Sequence, residues 1–292
     1  MPIDPTVAIG AALPTREFAW TGSDVLLYHL ALGAGDPPTD PVQLRYAYEP
    51  DLRVLPTFGV VAPTCHETLP PSVAMPGIDV DLATVLHGGQ ELLVHRPIPP
   101  EGSAVARGRV TDVLDKGAGK PAVITRVTEV VDTDGGVLWT ETTHIVARGE
   151  GGFGGHRGSA EQVPRGEGEP DAVLVVPTLP QQALWYRLCG DRNPLHVDPA
   201  FAARAGFPGP ILHGLCTYGL VCKAIVDELL GGATEAVTGF AARFTGVVFP
   251  GETLRTRVWR RDGELLADTT VVERDDAPAL SAVRLTTSAT SG

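Results

Sequence analysis

The sequence predicts an α+β fold in two halves of similar plan, each an antiparallel sheet wrapped on a buried helical segment. Three observations predict it. Runs of alternating apolar and polar residues, two pairs of them flanking Asp-Gly turns, recur in both halves. A polar, Gly-rich run from Arg148 to Pro170 divides the chain near its middle. The sequence on one side of that run is weakly repeated on the other.

The first half begins its pattern with Leu27-Tyr28-His29-Leu30-Ala31-Leu32-Gly33-Ala34, matched in the second half by Trp185-Tyr186-Arg187-Leu188-Cys189-Gly190-Asp191. Val54 to Cys65 is apolar enough for a buried helical segment, with Pro56 and Pro63 placed near its ends or at a kink. Its counterpart is Leu215 to Leu230, where Leu215, Tyr218, Val221, Cys222, Ile225, Val226 and Leu229 recur at helical spacing and Gly231-Gly232 ends the run. Strands are expected at Ala104–Leu114, Ala122–Val131 and Leu138–Ala147, with Asp134-Gly135 turning the last pair. Thr253–Trp259 and Leu265–Val272 flank Asp262-Gly263, and Ala279–Thr286 closes the set. Arg96 to Ser103 is echoed by Val247 to Thr253, so the repeat is about 150 residues long, a duplicated domain and not a solenoid. The expected division is 1–148, a Gly-rich crossover at 149–170, and 171–292.

Composition excludes several classes of function. A net charge of −12 removes the basic surface that nucleic acid requires and gives no attraction to anionic membranes. Lysine stands only at 116, 120 and 223, so any anionic ligand needs a local patch. The four cysteines, at 65, 189, 216 and 222, form no Cys-x-x-Cys pair, which points to neither a zinc site nor a redox motif. No signal segment and no apolar run of 18 residues is present, and the last three residues are not a peroxisomal signal; a cytoplasmic location is expected.

The chemistry concentrates in residues 184–199, Leu-Trp-Tyr-Arg-Leu-Cys-Gly-Asp-Arg-Asn-Pro-Leu-His-Val-Asp-Pro. An apolar run ends at Gly190, and a Pro-containing loop then carries Asp191 and His196. Taken singly, Gly-Asp is a helix end followed by a turn, Asn193-Pro194 starts turns, and a lone histidine is structural. Asp198-Pro199 caps a short helix over Ala200–Ala205. Held together on one short loop, a carboxylate and an imidazole can share a water molecule and exchange protons with it.

This segment resembles the signature of the (R)-specific enoyl-CoA hydratase family, also called hydratase 2 or MaoC-like dehydratases. The match runs through Tyr186, Gly190, Asp191, Asn193, Pro194, Leu195 and His196, and continues at the family's spacing with Pro210-Ile211-Leu212-His213-Gly214. The resemblance implies a double hot-dog fold, its two sheets merging into one. It implies reversible hydration of trans-2-enoyl-CoA to (3R)-3-hydroxyacyl-CoA, with no cofactor, no metal and a homodimeric assembly. An acyl-carrier-protein thioester is an alternative substrate.

By the same resemblance, Asp191 and His196 hold the water, and the Gly214 N–H stabilises the thioester oxygen. Asn193 and His213 belong with the substrate contacts, as do His87 and Gly88 in the first half. Lys116 matches a CoA-contacting lysine, and Phe244 a residue packed near the ligand. The first half has Gly33-Ala34 where the second has Gly190-Asp191, so one site per chain is expected. Two rival readings remain: a hot-dog thioesterase, and a non-catalytic acyl-thioester-binding subunit of a heteromeric dehydratase.

Overall fold

The computed structural model describes residues 2–158 and 166–288. Part of the Gly-rich crossover and the C-terminal tripeptide lie outside the described residues. Ten antiparallel strands form one sheet in the order β1-β3-β4-β5-β2-β7-β10-β9-β8-β6. In chain order they are β1 (Arg16–Trp20), β2 (Val85–Val94), β3 (Gly102–Asp115), β4 (Ala122–Val131), β5 (Val137–Ala147), β6 (Ala172–Pro177), β7 (Val237–Phe244), β8 (Thr253–Arg261), β9 (Glu264–Val271) and β10 (Ala277–Thr287). Reading outward from the centre, β2-β5-β4-β3-β1 mirrors β7-β10-β9-β8-β6. The halves join where β2 pairs with β7, Gly89 opposite Arg243 and Leu93 opposite Gly239.

The six strands expected from alternation are present. The Asp262-Gly263 turn has two residues with φ of 48° and 81°, the two-residue loop whose twist suits adjoining strands. Gly135 likewise has a positive φ, in a longer loop spanning Asp132 to Gly136.

The helices are α1 (Pro5–Ala8), α2 (Gly22–Ala31), α3 (Pro41–Ala47), α4 (Gln182–Tyr186), α5 (Pro199–Arg204) and α6 (Gly214–Leu230). α6 is the central helix, buried on most sides. Its end is fixed by Gly231, whose left-handed φ of 60° turns the chain and returns its N–H to Val226. The opposite side of α6 from the sheet meets the first half. A Cβ at Gly219 would crowd the Tyr28 hydroxyl and Leu32, so glycine lets α2 approach closely.

The first half departs from the expected plan. Val54 to Cys65 does not form a counterpart to α6; it makes two short 3₁₀ turns, Pro56–Val60 and Ala62–Thr64. Pro63 lacks the N–H a continued helix needs, and its ring would strike the carbonyl four residues back. The segment is buried nonetheless, with Leu55 and Phe58 in the main core. The expectation of one central helix per half is thus corrected to a single one, in the second half. The described start of the Gly-rich run is pinned: Gly152 and Gly154 donate their N–H groups to the Asp115 carboxylate at 2.7 Å each.

Candidate active site

The loop carrying Asp191 and His196 is set by its two ends. α4 and a 3₁₀ turn (Arg187–Cys189) lead into Gly190, whose φ is 105°. A Cβ there would collide with the Thr64 carbonyl oxygen, so the loop leans directly on first-half backbone. Arg192 Nε donates to the Glu67 carbonyl at 3.1 Å, a second tie to the same segment. Beyond Gly190 the loop organises itself. The Asp191 carboxylate accepts from Asn193 N–H at 3.1 Å, and Asn193 Oδ1 from Leu195 N–H at 3.0 Å. Asp198 then caps α5 by accepting from Ala200 and Phe201.

His196 and Asp191 face each other with Nε2 and Oδ2 4.0 Å apart. That is too long for a direct hydrogen bond and short enough for one water bonded to both. His196 Nδ1 lies 2.9 Å from the Ile211 carbonyl, which can only accept. The Nδ1 site therefore carries the proton in the neutral ring, and Nε2 presents its lone pair toward Asp191. Burial pushes His196 below the ordinary imidazole value, opposed by the Asp191 charge and the Ile211 bond. The site thus holds a neutral base beside a part-exposed carboxyl.

His213 supports this pair from behind. Its ring stacks on His196 with centroids 3.7 Å apart, and its Nε2 lies 3.3 Å from the Asp191 carbonyl. Tyr186 also packs on it, with ring centroids 5.0 Å apart. At 1% exposure, His213 is buried behind the loop that carries Asp191. Burial and the neighbouring His196 hold it well below the usual histidine range. Gly214, the first residue of α6, has no intrahelical partner for its N–H and sits at the positive end of the helix.

The remaining expected residues divide into two groups. Phe244, at the end of β7, lies 3.1 Å from where a Cβ on Gly214 would stand. His87 packs on Phe244 with centroids 4.7 Å apart, so a first-half residue borders the Gly214 end of the site. Burial pushes His87 down to about 4, with Arg126 adding to the effect. Gly88 forms a bulge between β2 and β5, where a Cβ would strike Val146. Lys116 is different: it follows β3, four strands from β7, and its Nζ donates to the Arg157 carbonyl at 2.6 Å.

Sequence reasoning missed Thr64, Glu67 and the Ile211 carbonyl, which act through backbone atoms and leave no side-chain signature. Asp191, His196 and His213 bring ligand-type atoms within 4.8 Å of one another, as do Asp24, Cys65 and His66. In the first trio, His196 Nδ1 and His213 Nε2 already face backbone carbonyls.

Comparison with known proteins agrees with this arrangement. Residues 18–149 match the MFE-2 hydratase 2 N-terminal domain and residues 162–279 the MaoC-like domain. A Mycobacterium tuberculosis protein named enoyl-CoA hydratase ChsH3 is 55% identical, over 98% of this chain and 99% of its own. Another from that organism, 3-hydroxyacyl-thioester dehydratase Y, is 43% identical over 96% and 95%. The crystal structure of a MaoC-like dehydratase from Phytophthora capsici superposes with a TM-score of 0.86 at 28% identity, covering 98% of each chain. A Mycobacterium tuberculosis structure described as a double hot-dog fold, 13% identical, matches at a TM-score of 0.59 over 97% of this chain and 98% of its own. With its antiparallel sheet closed around α6 and its motif loop at the helix start, this chain belongs to the MaoC-like (R)-specific hydratase family and has the double hot-dog fold.

Proposed function

We propose that this protein hydrates trans-2-enoyl-CoA to (3R)-3-hydroxyacyl-CoA, and dehydrates in reverse, at one site per chain. The carrying observation is the Asp191–His196 pair, its atoms 4.0 Å apart with the His196 lone pair turned inward. His196 Nε2 takes a proton from a water held between the two groups, and the hydroxide adds to C3. Asp191 acts as the acid that delivers a proton to C2. The Gly214 N–H stabilises the negative charge that develops on the thioester oxygen. His196 then returns its proton to Asp191 through the next water, so the cycle closes without a cofactor.

In this reading Asn193 and His213 fix the loop, while His87, Gly88 and Phe244 border the acyl group. Lys116 contacts CoA only after giving up the Arg157 carbonyl. Residues 1–148 shape the acyl and CoA pocket, 149–170 cross over, and 171–292 carry the chemistry. The substrate is a CoA thioester, and the location cytoplasmic; among the described residues no helix is long and apolar enough to cross a membrane. A homodimer is supported by edge strand β6, where exposed Val173 and Val175 line a cleft of about 620 Å³ with Leu30, Leu179 and Trp185.

Incubation with crotonyl-CoA tests the reaction. Loss of enoyl absorbance with the thioester retained, and an (R) product by chiral analysis, is the expected result. Release of free CoA would instead establish the thioesterase, and binding without turnover the non-catalytic subunit.

A further inference from the structure

The inner face of the first-half sheet carries a polar band that has no equivalent among the described residues of the second half. On β4, Ala122, Ile124, Arg126, Thr128 and Val130 alternate onto one face. Their β5 partners are Ala147, Ile145, Thr143, Glu141 and Trp139, and Gln90 on β2 lies opposite Thr143. At one end of this face, Val130 and Trp139 join Leu92 and Phe58 in the main core. At the other end, Ala122, Ile124 and Ala147 pack with Ile3, Ala8 and Ile78 in a separate cluster. Between the two apolar clusters lie Arg126, Thr128, Glu141, Thr143 and Gln90. The second half fills its own inner face with residues such as Leu254, Val258, Ala267 and Val283; its Thr256 and Thr269 satisfy each other at 2.9 Å.

The band leads to the catalytic loop's neighbours. Thr143 Oγ1 donates to Gln90 Oε1 at 3.1 Å, and His87 Nε2 reaches the same oxygen at 3.1 Å. His87 in turn packs on Phe244, which packs on Gly214. The far end of the band is incompletely satisfied. Arg126 Nε is buried with no hydrogen-bond partner. Glu141, 6% exposed, accepts from Trp139 Nε1 at 3.1 Å; burial pushes its carboxyl up to about 7, against the opposing pull of that bond and of the nearby Arg126 charge, which offsets only part of the cost. An unpaired guanidinium N–H and a buried carboxyl are costly in a wall that meets only hydrocarbon. A ligand that brings an oxygen atom removes that cost.

We propose that this band is a specificity subsite for an oxygen function, a hydroxyl or carbonyl, borne on the substrate's acyl group far from its double bond. Arg126 donates to that oxygen and Glu141 is its second partner. The inference rests on the hydratase reading above. Arg126 on β4 is three inter-strand steps from Phe244 on β7, about 14 Å at ordinary strand spacing, so a four-carbon enoyl group does not reach it. The subsite therefore selects among medium and long acyl groups.

The test compares two enoyl-CoAs of equal, long chain length, one plain and one carrying a hydroxyl or keto group in its distal half. The wild-type enzyme is expected to favour the oxygenated one by about 10-fold or more in kcat/KM, the scale of a charge-assisted hydrogen bond. Arg126→Met should collapse that ratio toward one and Arg126→Lys partly restore it. A purely structural role would lower both substrates together and leave the ratio unchanged. Equal use of the two by the wild type, or an unchanged ratio in Arg126→Met, overturns the proposal. The wild-type ratio decides it even if a variant fails to fold. Should the protein hydrate no enoyl-CoA, the hydratase reading fails on its own, and calorimetric binding of the two saturated acyl-CoAs decides the subsite. Tenfold tighter binding of the oxygenated chain would support it, and equal affinity would sink it.

Discussion

The two halves share one strand order and differ in what covers the inner face of each sheet. In the second half that cover is α6, a helix of 17 residues seated on an apolar wall. In the first half it is a pair of 3₁₀ turns and loops over a wall with a polar middle. Even the local packing is parallel: Tyr186 sits on His213 and Tyr28 on Phe58, with Gly214 and Gly59 next in sequence. The difference teaches that topology alone does not make the site. In the proposed function the site is a helix start beside a loop carrying an acid and a base, and among the described residues one half has both.

The comparison breaks first at the dyad. Asp191→Asn and His196→Gln should each lower kcat by about 100-fold or more, while binding of a saturated acyl-CoA, read by calorimetry, survives. Wild-type turnover in either variant would mean that this pair does not carry the chemistry and that the second half is not set apart by it. The glycine before the dyad should give the next largest effect. Gly190→Ala places a Cβ against the Thr64 carbonyl at a φ that L residues avoid. We expect a fall in both Tm and kcat, because the loop must shift; unchanged kcat would show that the first half does not hold the loop.

A matched pair sharpens the contrast further. A Cβ at Gly214 would stand 3.1 Å from Phe244, and one at Gly59 3.1 Å from Ile98 and 3.3 Å from Trp139. Both alanine variants should lose about 1–3 kcal/mol to overpacking. Only Gly214→Ala should also lose kcat, by about 10-fold or more. Equal kinetic losses would argue that the loss at Gly214 comes from packing and not from its place at the start of α6.

A smaller effect is expected from pH. Glu141 has a folded value raised to about 7 from an ordinary 4.5. Its contribution to stability is therefore full below pH 4.5 and is lost as pH rises toward 7, by at most about 1.4 kcal/mol per pH unit. Glu141→Gln stays neutral, so its Tm relative to wild type should climb across that window. A difference independent of pH would place the carboxyl in contact with solvent. Smallest is the edge of the second half: Val175→Asp should shift a dimer toward monomer in sedimentation velocity with little change in kcat per chain.

Much of this was legible in the sequence, for reasons that can be named. Six strands showed themselves because alternation and Asp-Gly turns are local. β1 and β6 are short edge strands, while β2 is interrupted by Gly88-Gly89 and β7 is rich in small residues. What makes β2 and β7 strands is pairing on both sides, which no window of sequence contains. The two prolines in Val54–Cys65 warned of a kink, yet that they dismantle the helix is visible only in the fold. Asp191, Asn193 and His196 were readable because one loop carries them. His213 was readable as a motif residue, though its place behind His196 was not.

Because β2 and β7 lie side by side at the centre of a single sheet, the two copies of the repeat are bound by one polypeptide instead of by an association equilibrium. In a pair of identical chains, any mutation strikes both partners at once, and a proline that ruined one helix would ruin the other. Here Pro63 could open one copy while the other kept its helix, with no need to sort unlike subunits during assembly. Covalent duplication is what makes such asymmetry heritable.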